Sequence, residues 1–406
     1  MRLAVFTDSF YPELGGIQDS ILTIVRALGE RGHAIRVYAP AAPARDFARA
    51  GVVPPAEPDA GPNVEIRRLP SLPLPSSSQQ SRLLLPTGRP ERELADFAPD
   101  LVHLHTFFGA GAAARRAARG LRLPLLGTNH WYPQGFALYA PFARAALRRF
   151  GARAVARYYQ ACDWVTAPSR FTLDDMREHG LSREGSVISN PIDTRVFRPV
   201  SAAEKGSLKA RLGLGADTVV YAGRLAREKR IEVLLEAVAI ARRSRPGIEL
   251  VLAGHGSARA GLERRARGLG IADRVRFMGT LSHAALAELF AASEVFAIAS
   301  LSETQSMVLL QAMACGLPAV GARCGGLIEH IPPETGFLAE PDDAADFAAK
   351  LLHALADPWR ATRAVAARRA AERHSIPAIA AAWEGLYAQL AGSGGVPIPS
   401  TAPPRS

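Results

Sequence analysis

Residues 1–40 read MRLAVFTDSFYPELGGIQDSILTIVRALGERGHAIRVYAP. Within this stretch, Leu3–Thr7 and Ile35–Ala39 are short apolar runs of the kind that forms buried strands. Between them, Ile17–Arg31 carries apolar residues at helical spacing, and a glycine follows it. A strand, a helix and a second strand in this order predict a βαβ unit with parallel strands, the building block of a doubly wound sheet.

The same alternation continues along the chain. The further predicted strands are Asn63–Arg67, Leu101–His105, Leu123–Gly127, Trp164–Ala167, Thr218–Tyr221, Leu250–Ala253, Val275–Met278, Val295–Ala299 and Pro318–Gly321. The pattern pauses around Asn190–Asp193 and then restarts. We therefore expect an α/β protein with two doubly wound, Rossmann-like domains, residues 1–194 and 195–375.

Two segments are too rich in proline, serine and glycine to predict ordered elements. Pro70–Ser81 forms a long loop inside the first domain, and residues 392–406 form a disordered tail. Just before this tail, Ala380–Leu390 has its large apolar side chains on one helical face.

Composition places the chain among ordinary globular proteins. Its 406 residues are 48% hydrophobic, enough for two cores, which excludes a disordered chain and a small disulfide scaffold. Cys162, Cys315 and Cys324 include no CxxC pair and predict reduced thiols. No apolar run approaches the roughly 20 residues of a membrane span, and the N-terminus is too quickly polar for a signal peptide. We therefore expect a cytoplasmic protein.

The basic net charge does not by itself indicate what the protein binds. The net charge is +11, but only four of the 49 basic residues are lysines. An Arg-rich composition alone does not predict a nucleic-acid partner, and no recognised nucleic-acid-binding module is present.

Two glycine motifs in the first half could meet phosphate. Gly109–Ala114 reads GAGAAA, close to the dinucleotide fingerprint, but the acidic residue that should follow about 20 positions later is missing. We therefore favour close packing of helix on strand at this motif. Gly15 and Gly16 directly precede a helix, whose free backbone amides favour an anion. A plain turn explains the same pair.

In the second half, charged residues follow two predicted strands. Arg224 and Lys229 come after Thr218–Tyr221 and suit a diphosphate, although a solvated helix start would have the same residues. Glu303 follows Val295–Ala299 at the entrance of a helix. It is either a helix cap or an acceptor for sugar hydroxyls.

Four motifs together resemble the retaining glycosyltransferases of family 4, which have the GT-B fold. They are Pro12-Glu13-Leu14-Gly15-Gly16, Gly223-Arg224-Leu225 with Lys229, Ala253-Gly254-His255-Gly256, and Glu303 ahead of Ala312-Met313-Ala314-Cys315-Gly316-Leu317-Pro318. Their order and spacing are those of the family, and they cover nearly the whole chain. The resemblance implies a hexosyltransferase that uses a nucleotide-diphosphate sugar, and a C-terminal helix, residues 376–391, that packs back on the first domain.

The resemblance also implies roles for individual residues. His130 and Glu303 are the implied catalytic residues, His130 facing the donor sugar and Glu303 holding its hydroxyls. The implied donor-binding residues are Gly15, Gly16, Arg224, Lys229, Met278, Gly279, Gln305, Ser306, Met307, Val308 and Gln311. Gly15 and Gly16 line the diphosphate from the first domain, and the base pocket lies near Arg276–Gly279.

Two positions depart from the family pattern. Gln311 stands where the family has a second glutamate that accepts both ribose hydroxyls, a task that a carboxamide performs less symmetrically. Ser306 stands where the family often has glycine. The chain contains no Asp-x-Asp and no HExxH motif, so we expect a metal-independent reaction without a cofactor.

An acid-free stretch bears on the acceptor. From Leu101 to Cys162 there are nine arginines and no Asp or Glu. Leu147, Phe150, Ala154 and Tyr158 would form an apolar stripe on a helix, opposite Arg144, Arg148, Arg149, Arg153 and Arg157. Such a helix either docks these arginines on an anionic membrane or buries its stripe in the core.

Two further tetrapeptides, at 127–130 and 302–305, resemble family members that glycosylate diacylglycerol. We therefore expect a peripheral membrane enzyme with a lipid acceptor. A soluble or polysaccharide acceptor, and a non-catalytic protein that binds nucleotide sugars, are the alternatives. A sugar-nucleotide epimerase or a phosphorylase of this fold is a further alternative, and the phosphorylase is disfavoured because no lysine is suitably placed for pyridoxal phosphate. UDP and GDP sugars are both compatible with the sequence.

Overall fold

The computed structural model describes residues 1–13, 15–49, 57–73, 82–85, 88–132, 144–355 and 357–392. The chain divides into two compact units. The first unit is Met1–Pro191 together with the chain from Ile376 onward, and the second unit is Ile192–Ser375.

A parallel sheet forms the centre of the first unit. Its described strands are β1 (Arg2–Phe6), β2 (Ala34–Pro40), β3 (Val64–Leu69), β4 (Ser71–Pro73), β5 (Arg82–Leu84), β6 (Leu101–Leu104), β7 (Leu125–Thr128), β8 (Trp164–Ala167) and β9 (Gly185–Val187). Seven of them form one sheet in the order β3-β2-β1-β6-β7-β8-β9, and β4 pairs with β5 as an antiparallel hairpin. The strand order reverses between β1 and β6, where doubly wound sheets bind ligands at the carboxyl ends of their strands.

Helices surround this sheet. The described helices of the first unit are α1 (Gly16–Glu30), α2 (Ala44–Arg49), α3 (Arg89–Phe97), α4 (Gly109–Leu121), α5 (Arg144–Tyr159), α6 (Arg170–Glu178) and, from the end of the chain, α15 (Ile376–Leu390). Trp383, Leu386 and Tyr387 of α15 are buried in one apolar cluster with Leu3 and Ile21. The last helix is therefore part of the core of the first unit.

The second unit repeats the architecture. Its described strands are β10 (Asp217–Ala222), β11 (Ile248–Ala253), β12 (Val275–Gly279), β13 (Val295–Ile298), β14 (Ala319–Ala322) and β15 (Gly336–Ala339). They form a parallel sheet in the order β12-β11-β10-β13-β14-β15, which reverses between β10 and β13. The described helices are α7 (Ala202–Leu212), α8 (Ile231–Ala241), α9 (Arg259–Gly268), α10 (His283–Ala292), α11 (Met307–Ala314), α12 (Leu327–His330), α13 (Ala344–Ala354) and α14 (Asp357–Glu372).

The predicted doubly wound α/β architecture is confirmed, while two details differ. The prediction missed β9 and β15, the short last strand of each sheet. The prediction of no ordered element in Pro70–Ser81 is wrong at its start, where β4 lies. The Ser71 hydroxyl donates to the Ala41 carbonyl and accepts a hydrogen bond from Arg82, which ties both ends of the hairpin to the unit. Residues 74–81 and 393–406 lie outside the described part.

The GAGAAA motif packs closely, as expected. A Cβ atom at Gly109 would lie 1.8 Å from the carbonyl oxygen of Leu84, and one at Gly111 would lie 2.1 Å from the Tyr158 hydroxyl. The backbone N–H of Ala110, in the first turn of α4, donates to the buried carboxylate of Asp8. The N-terminus of α4 is thus capped by the protein's own carboxylate.

Of the two alternatives for the predicted apolar stripe of α5, burial in the core is wrong. The buried face of this helix consists of Ala152, Val155, Ala156 and Tyr159. Phe150 is 65% exposed and Ala154 is also exposed, while the side chain of Leu147 lies outside the described part. The register follows from Gly127, because a Cβ atom there would lie 2.7 Å from the Tyr159 ring. The bare glycine lets this tyrosine face, rather than the Phe150 face, rest on the sheet.

Two other expectations concern cysteines and membrane spans. Cys162, Cys315 and Cys324 are free thiols. Burial raises the pKa of Cys162 and Cys315 to about 12. Within the described residues, no helix combines the length and the apolarity needed to cross a bilayer.

Candidate active site

The charged residues of the second unit meet at the point where its strand order reverses. Arg224 and Lys229 follow β10, and Glu303 follows β13. These strands are direct neighbours, with Val219 beside Val295. Because both strands point the same way, their carboxyl ends bring the three side chains to one edge of the sheet.

Lys229 and Glu303 form an ion pair at this edge. The ammonium Nζ of Lys229 donates to Oε1 of Glu303 at 2.6 Å. Burial opposes ionisation of Glu303, but the charge and hydrogen bond of Lys229, the nearby Ser300 hydroxyl and the charge of Arg224 hold its pKa below the ordinary value. Glu303 is therefore a buried carboxylate that stays ionised because a cation lies against it.

Arg224 has an acidic partner of its own. Its guanidinium lies 3.4 Å from Oε1 of the buried Glu228. The hydroxyl of the buried Tyr221 donates to the backbone carbonyl of Arg224, which fixes the turn after β10. The site thus holds two cations and two carboxylates, all four positioned by the switch point of the sheet.

Close backbone packing holds the adjacent strand ends. Gly254, after β11, has φ of 142°, and a Cβ atom there would lie 1.9 Å from the carbonyl oxygen of Gly223. Its N–H donates to the carbonyl of Gly279, which ends β12 directly after Met278. Only glycine fits position 254. The expected base-pocket residues Met278 and Gly279 therefore lie on the strand next to Gly254.

A second glycine fixes the loop that carries Glu303. The N–H of Gly326 donates to the carbonyl of Glu303 at 2.9 Å, and a Cβ atom on Gly326 would lie 2.2 Å from the carbonyl oxygen of Thr304. Gln305, in the same loop, is buried, and its amide lies 3.3 Å from the ring of His330. Gly326 and His330 therefore both hold the loop that carries Glu303 and Gln305.

The helix after this loop starts later than expected. Its N-cap is Ser306, whose hydroxyl accepts from the N–H of Leu309, so α11 begins at Met307 rather than at Glu303. Glu303 is consequently not the cap of this helix. Val308 lies in the first turn, and the side chain of Gln311 is buried one turn later. The serine that replaces the family's glycine serves here as a cap.

The first unit carries the remaining predicted site residues. Gly15 is the N-cap of α1, which begins at Gly16, and as a glycine it has no side chain that could cap this end. Leu14 of the same motif lies outside the described part. His130 follows β7, and its Nε2 lies 3.0 Å from Nδ1 of His105. Burial lowers the pKa of His130 to about 4, so its imidazole is neutral.

The basic face of α5 is described in part. Arg153 and Arg157 are exposed on it. The side chains of Arg144, Arg148 and Arg149 lie outside the described part.

Sequence reasoning missed the residues that hold these groups in place. They are His103, His105, Glu228, Ser300 and Gly326. The spacing of His103 and His105 was available as a signal, because residues two apart on a strand share a face. Nothing in the sequence indicated that Glu228 or Ser300 would turn towards the site.

The arrangement suits a charged, phosphorylated ligand. In the second unit, two cations at one edge of the sheet match the charge of a diphosphate, and a buried carboxylate accepts hydrogen bonds from hydroxyl groups. Among the residues that the structure describes, no three His, Cys, Asp or Glu side chains are grouped to hold a metal ion.

Comparisons with known proteins agree with this chemistry. A model described as "Glycosyltransferase Family 4" matches residues 14–196, and one described as "Glycosyl transferases group 1" matches residues 216–357. A GDP-mannose-dependent alpha-mannosyltransferase of Corynebacterium glutamicum is 30% identical over 344 residues, which cover 82% of this chain and 74% of that protein. An alpha-monoglucosyldiacylglycerol synthase of Streptococcus pneumoniae is 26% identical, over 79% of this chain and 70% of that protein.

Solved structures show the same fold. Sucrose-phosphate synthase from Thermosynechococcus elongatus is similar with a TM-score of 0.76 and 24% identity, over 97% of this chain and 100% of that one. Anabaena Alr3699/HepE in complex with UDP is similar with a TM-score of 0.75 and 21% identity, over 96% of this chain and 100% of that one. The chain therefore has the GT-B fold and belongs to glycosyltransferase family 4.

Proposed function

We propose that this glycosyltransferase moves a hexose, with retention of configuration, from a nucleoside-diphosphate sugar to a hydroxyl of a membrane lipid. The donor is its only small-molecule partner besides the acceptor, and no cofactor takes part. The ion pair of Lys229 and Glu303 beside Arg224 is the observation that carries the proposal.

The donor half follows from the charges in the second unit. Arg224 and Lys229 bind the diphosphate, since a fork and a point charge together match two adjacent phosphates. Glu303 and Gln305 hold the sugar hydroxyls. Met278 and Gly279 lie beside the base, and Gln311 beside the ribose. The backbone N–H groups of Ser306 and Met307, together with Val308, contact the donor, and the start of α11 at Met307 supports this assignment.

The first unit contributes Gly15, Gly16 and His130. The amides at the start of α1 approach the diphosphate, and the neutral imidazole of His130 hydrogen-bonds the sugar. In the transfer, the bond from the anomeric carbon to the phosphate oxygen breaks and a bond to the acceptor oxygen forms on the same face. The acceptor's proton passes to the departing diphosphate, whose charge the two cations stabilise.

The relatives suggest which donor to test first. The Corynebacterium glutamicum relative is GDP-mannose-dependent. The Streptococcus pneumoniae relative makes a glucosyldiacylglycerol. GDP-mannose is our first choice because a GDP-mannose-dependent relative of Mycolicibacterium smegmatis matches 97% of this chain. A thermal-shift series with GDP, UDP and ADP tests this choice, since a bound nucleotide stabilises in proportion to the logarithm of its concentration over Kd. Stabilisation by UDP alone would show that the donor is a UDP sugar and not GDP-mannose.

The proposal of a membrane-lipid acceptor rests on the exposed face of α5. Phe150, Arg153, Ala154 and Arg157 lie at helical positions i, i+3, i+4 and i+7, and all four are exposed. An aromatic side chain between arginines matches an anionic bilayer surface, where the ring enters the interface and each basic residue adds about 1 kcal/mol.

Cosedimentation with vesicles tests the docking. Wild-type protein should sediment with vesicles that contain anionic lipid at low salt and much less with neutral vesicles. Arg153→Glu/Arg157→Glu should weaken this binding at least about thirtyfold, from the loss of about 2 kcal/mol.

A matched variant controls for net charge. Arg264→Glu/Arg267→Glu changes two exposed arginines of α9, in the second unit, by the same amount and should leave vesicle binding intact. Equal loss in both variants, or no binding by the wild type, would leave a soluble acceptor.

A further inference from the structure

Three histidines of the first unit form a continuous chain of contacts, which we name the histidine ladder: His103, His105 and His130. The proposed transfer uses only His130. His103 and His105 come from β6 and its carboxyl end, and both are buried.

One end of the ladder is the contact between His105 and His130. Nδ1 of His105 and Nε2 of His130 are 3.0 Å apart, and the two rings are nearly parallel at 17°. The backbone around His130 is also fixed, because the Asn129 side chain bonds both the N–H and the carbonyl of Trp131. Among the described residues, His105 is the partner that the ring nitrogen of His130 contacts, and this contact restricts the rotation of the imidazole.

The other end reaches the C-terminal helix. The ring of His103 contacts that of His105, with their centroids 4.0 Å apart and their planes tilted by 37°. Nδ1 of His103 is 3.0 Å from the hydroxyl of Tyr387 in α15, and its Nε2 is 2.6 Å from the hydroxyl of Thr128. Trp383, one turn earlier in α15, lies against the His103 ring at 4.9 Å.

All three imidazoles of the ladder are neutral. Burial lowers the pKa of His103 to about 3 and that of His130 to about 4, and burial also holds the pKa of His105 well below its ordinary value. A neutral imidazole has one N–H and one lone pair. The bond between His105 and His130 therefore requires complementary tautomers, and each tautomer fixes the other.

We propose that His105 is a positioning residue that fixes the rotation and tautomer of His130, and that His103 and Tyr387 hold His105 in place, so that the C-terminal helix supports the active-site imidazole. The proposal rests on the role of His130 in the proposed function. Its geometry lies entirely within the first unit.

Steady-state kinetics with two substitutions at one position test the role of His105. His105→Leu keeps the bulk of the ring and removes its polar atoms, and we expect kcat to fall about tenfold or more while KM for the donor stays within about twofold. His105→Asn places an amide near the position of Nδ1 and should restore most of kcat. Equal activity of the Leu and Asn variants would overturn the proposal.

Tyr387→Phe tests the far end with a smaller change. It removes only the hydroxyl that bonds His103, and kcat should fall about threefold, because the hydroxyl acts on His130 only through His103 and His105. The matched control is His33→Asn. His33 also contacts α15, through Glu384 at 2.9 Å, but has no contact with the ladder. Equal losses in the two variants would show that only the seating of α15 matters, against the proposal.

Imidazole ¹⁵N spectra give a readout that does not depend on activity. Protonated and unprotonated ring nitrogens resonate apart, so wild-type His130 should show a single tautomer and the His105→Leu variant a mixture. An unchanged His130 spectrum would overturn the positioning role. If His130→Ala retains full activity while the spectra change as expected, the assigned role of His130 in transfer fails and the ladder stands.

Discussion

The ammonium of Lys229 lies 2.6 Å from Oε1 of Glu303, and the two side chains neutralise each other at the switch point of the second unit. This contact joins a residue assigned to the phosphates to one assigned to the sugar. Their roles are consequently coupled, because a diphosphate that draws on the charge of Lys229 competes with Glu303 for it.

Glu303→Gln should therefore separate nucleotide binding from transfer. Without the carboxylate, Lys229 offers its whole charge to the diphosphate, and we expect the free nucleoside diphosphate to bind about tenfold more tightly, about 1.4 kcal/mol. Transfer should be lost, because the sugar hydroxyls lose a charged carboxylate with two accepting oxygens and keep only the single accepting oxygen of a neutral amide.

Isothermal titration with the nucleoside diphosphate measures this change. Glu294→Gln is the control, since Glu294 is buried against Lys205 and Lys209 in the same unit but lies before β13 rather than after it. Its substitution should leave the nucleotide affinity unchanged. Weaker binding in Glu303→Gln would contradict the coupling.

Gln311→Glu should keep transfer and tighten nucleotide binding. The change restores a carboxylate that can accept from two ribose hydroxyls at once, whereas the carboxamide has one accepting oxygen. Pyrophosphate serves as the control ligand because it has no ribose, and its affinity should not rise. If the affinity for the nucleotide falls in this variant, the ribose is held elsewhere.

The glycine packing of the second unit gives a stability prediction. Gly254→Ala places a methyl group against the backbone of Gly223 at a positive φ, and we expect a loss of at least about 2 kcal/mol in the free energy of unfolding. Gly261→Ala, inside α9 with open space around it, should instead stabilise by about 0.5–1 kcal/mol. Urea denaturation of both variants measures the contrast, and two similar values would refute it.

The buried histidines predict a loss of stability in acid. His103 and His130 have pKa values of about 3 and about 4 in the folded protein, below the ordinary 6.5. The unfolded chain therefore binds more protons below pH 6.5. The free energy of unfolding is unaffected above that pH and should fall by about 1.4 kcal/mol per pH unit for each histidine as the pH drops towards these values.

Urea denaturation at pH 7, 6 and 5 measures this dependence. His130→Asn should reduce the pH dependence of the free energy of unfolding of the first unit by the contribution of one histidine, about 1.4 kcal/mol per pH unit. His353→Asn, an exposed histidine of the second unit, is the control. An unchanged slope in the His130 variant would contradict the burial of that ring.

Apolar runs and helix spacing were sufficient to predict the fold. The runs at Leu3–Thr7 and Leu250–Ala253 are buried on both faces and bounded by turns. Their continuous apolar residues were therefore sufficient to predict strands without knowledge of distant contacts. The strands β9 and β15 were missed because each has only a few residues and begins with glycine. The stripe of α5 was misassigned because several faces of this Ala-rich helix are equally apolar, and the choice among them is made by Gly127 on another element.

The part of the site that was predictable consists of charged residues that directly follow strands. Arg224, Lys229 and Glu303 follow strands in the sequence, and the sheet order brings them together. Their partners were not predictable. The directions in which the side chains of Ser300 and Glu228 point cannot be read from the sequence. His105 contacts a residue 25 positions away, His130, and only the fold brings the two together.

Transfer of radiolabelled hexose into extractable lipid tests the central claim most directly. Wild-type protein is incubated with labelled GDP-mannose or UDP-glucose and vesicles that contain anionic lipid, diacylglycerol and phosphatidylinositol. The label should appear in the organic phase as an α-linked product, and Lys229→Met and Glu303→Gln should abolish it. Label that is released only as free hexose or enters only water-soluble products, or lipid labelling that survives both substitutions, would contradict the account.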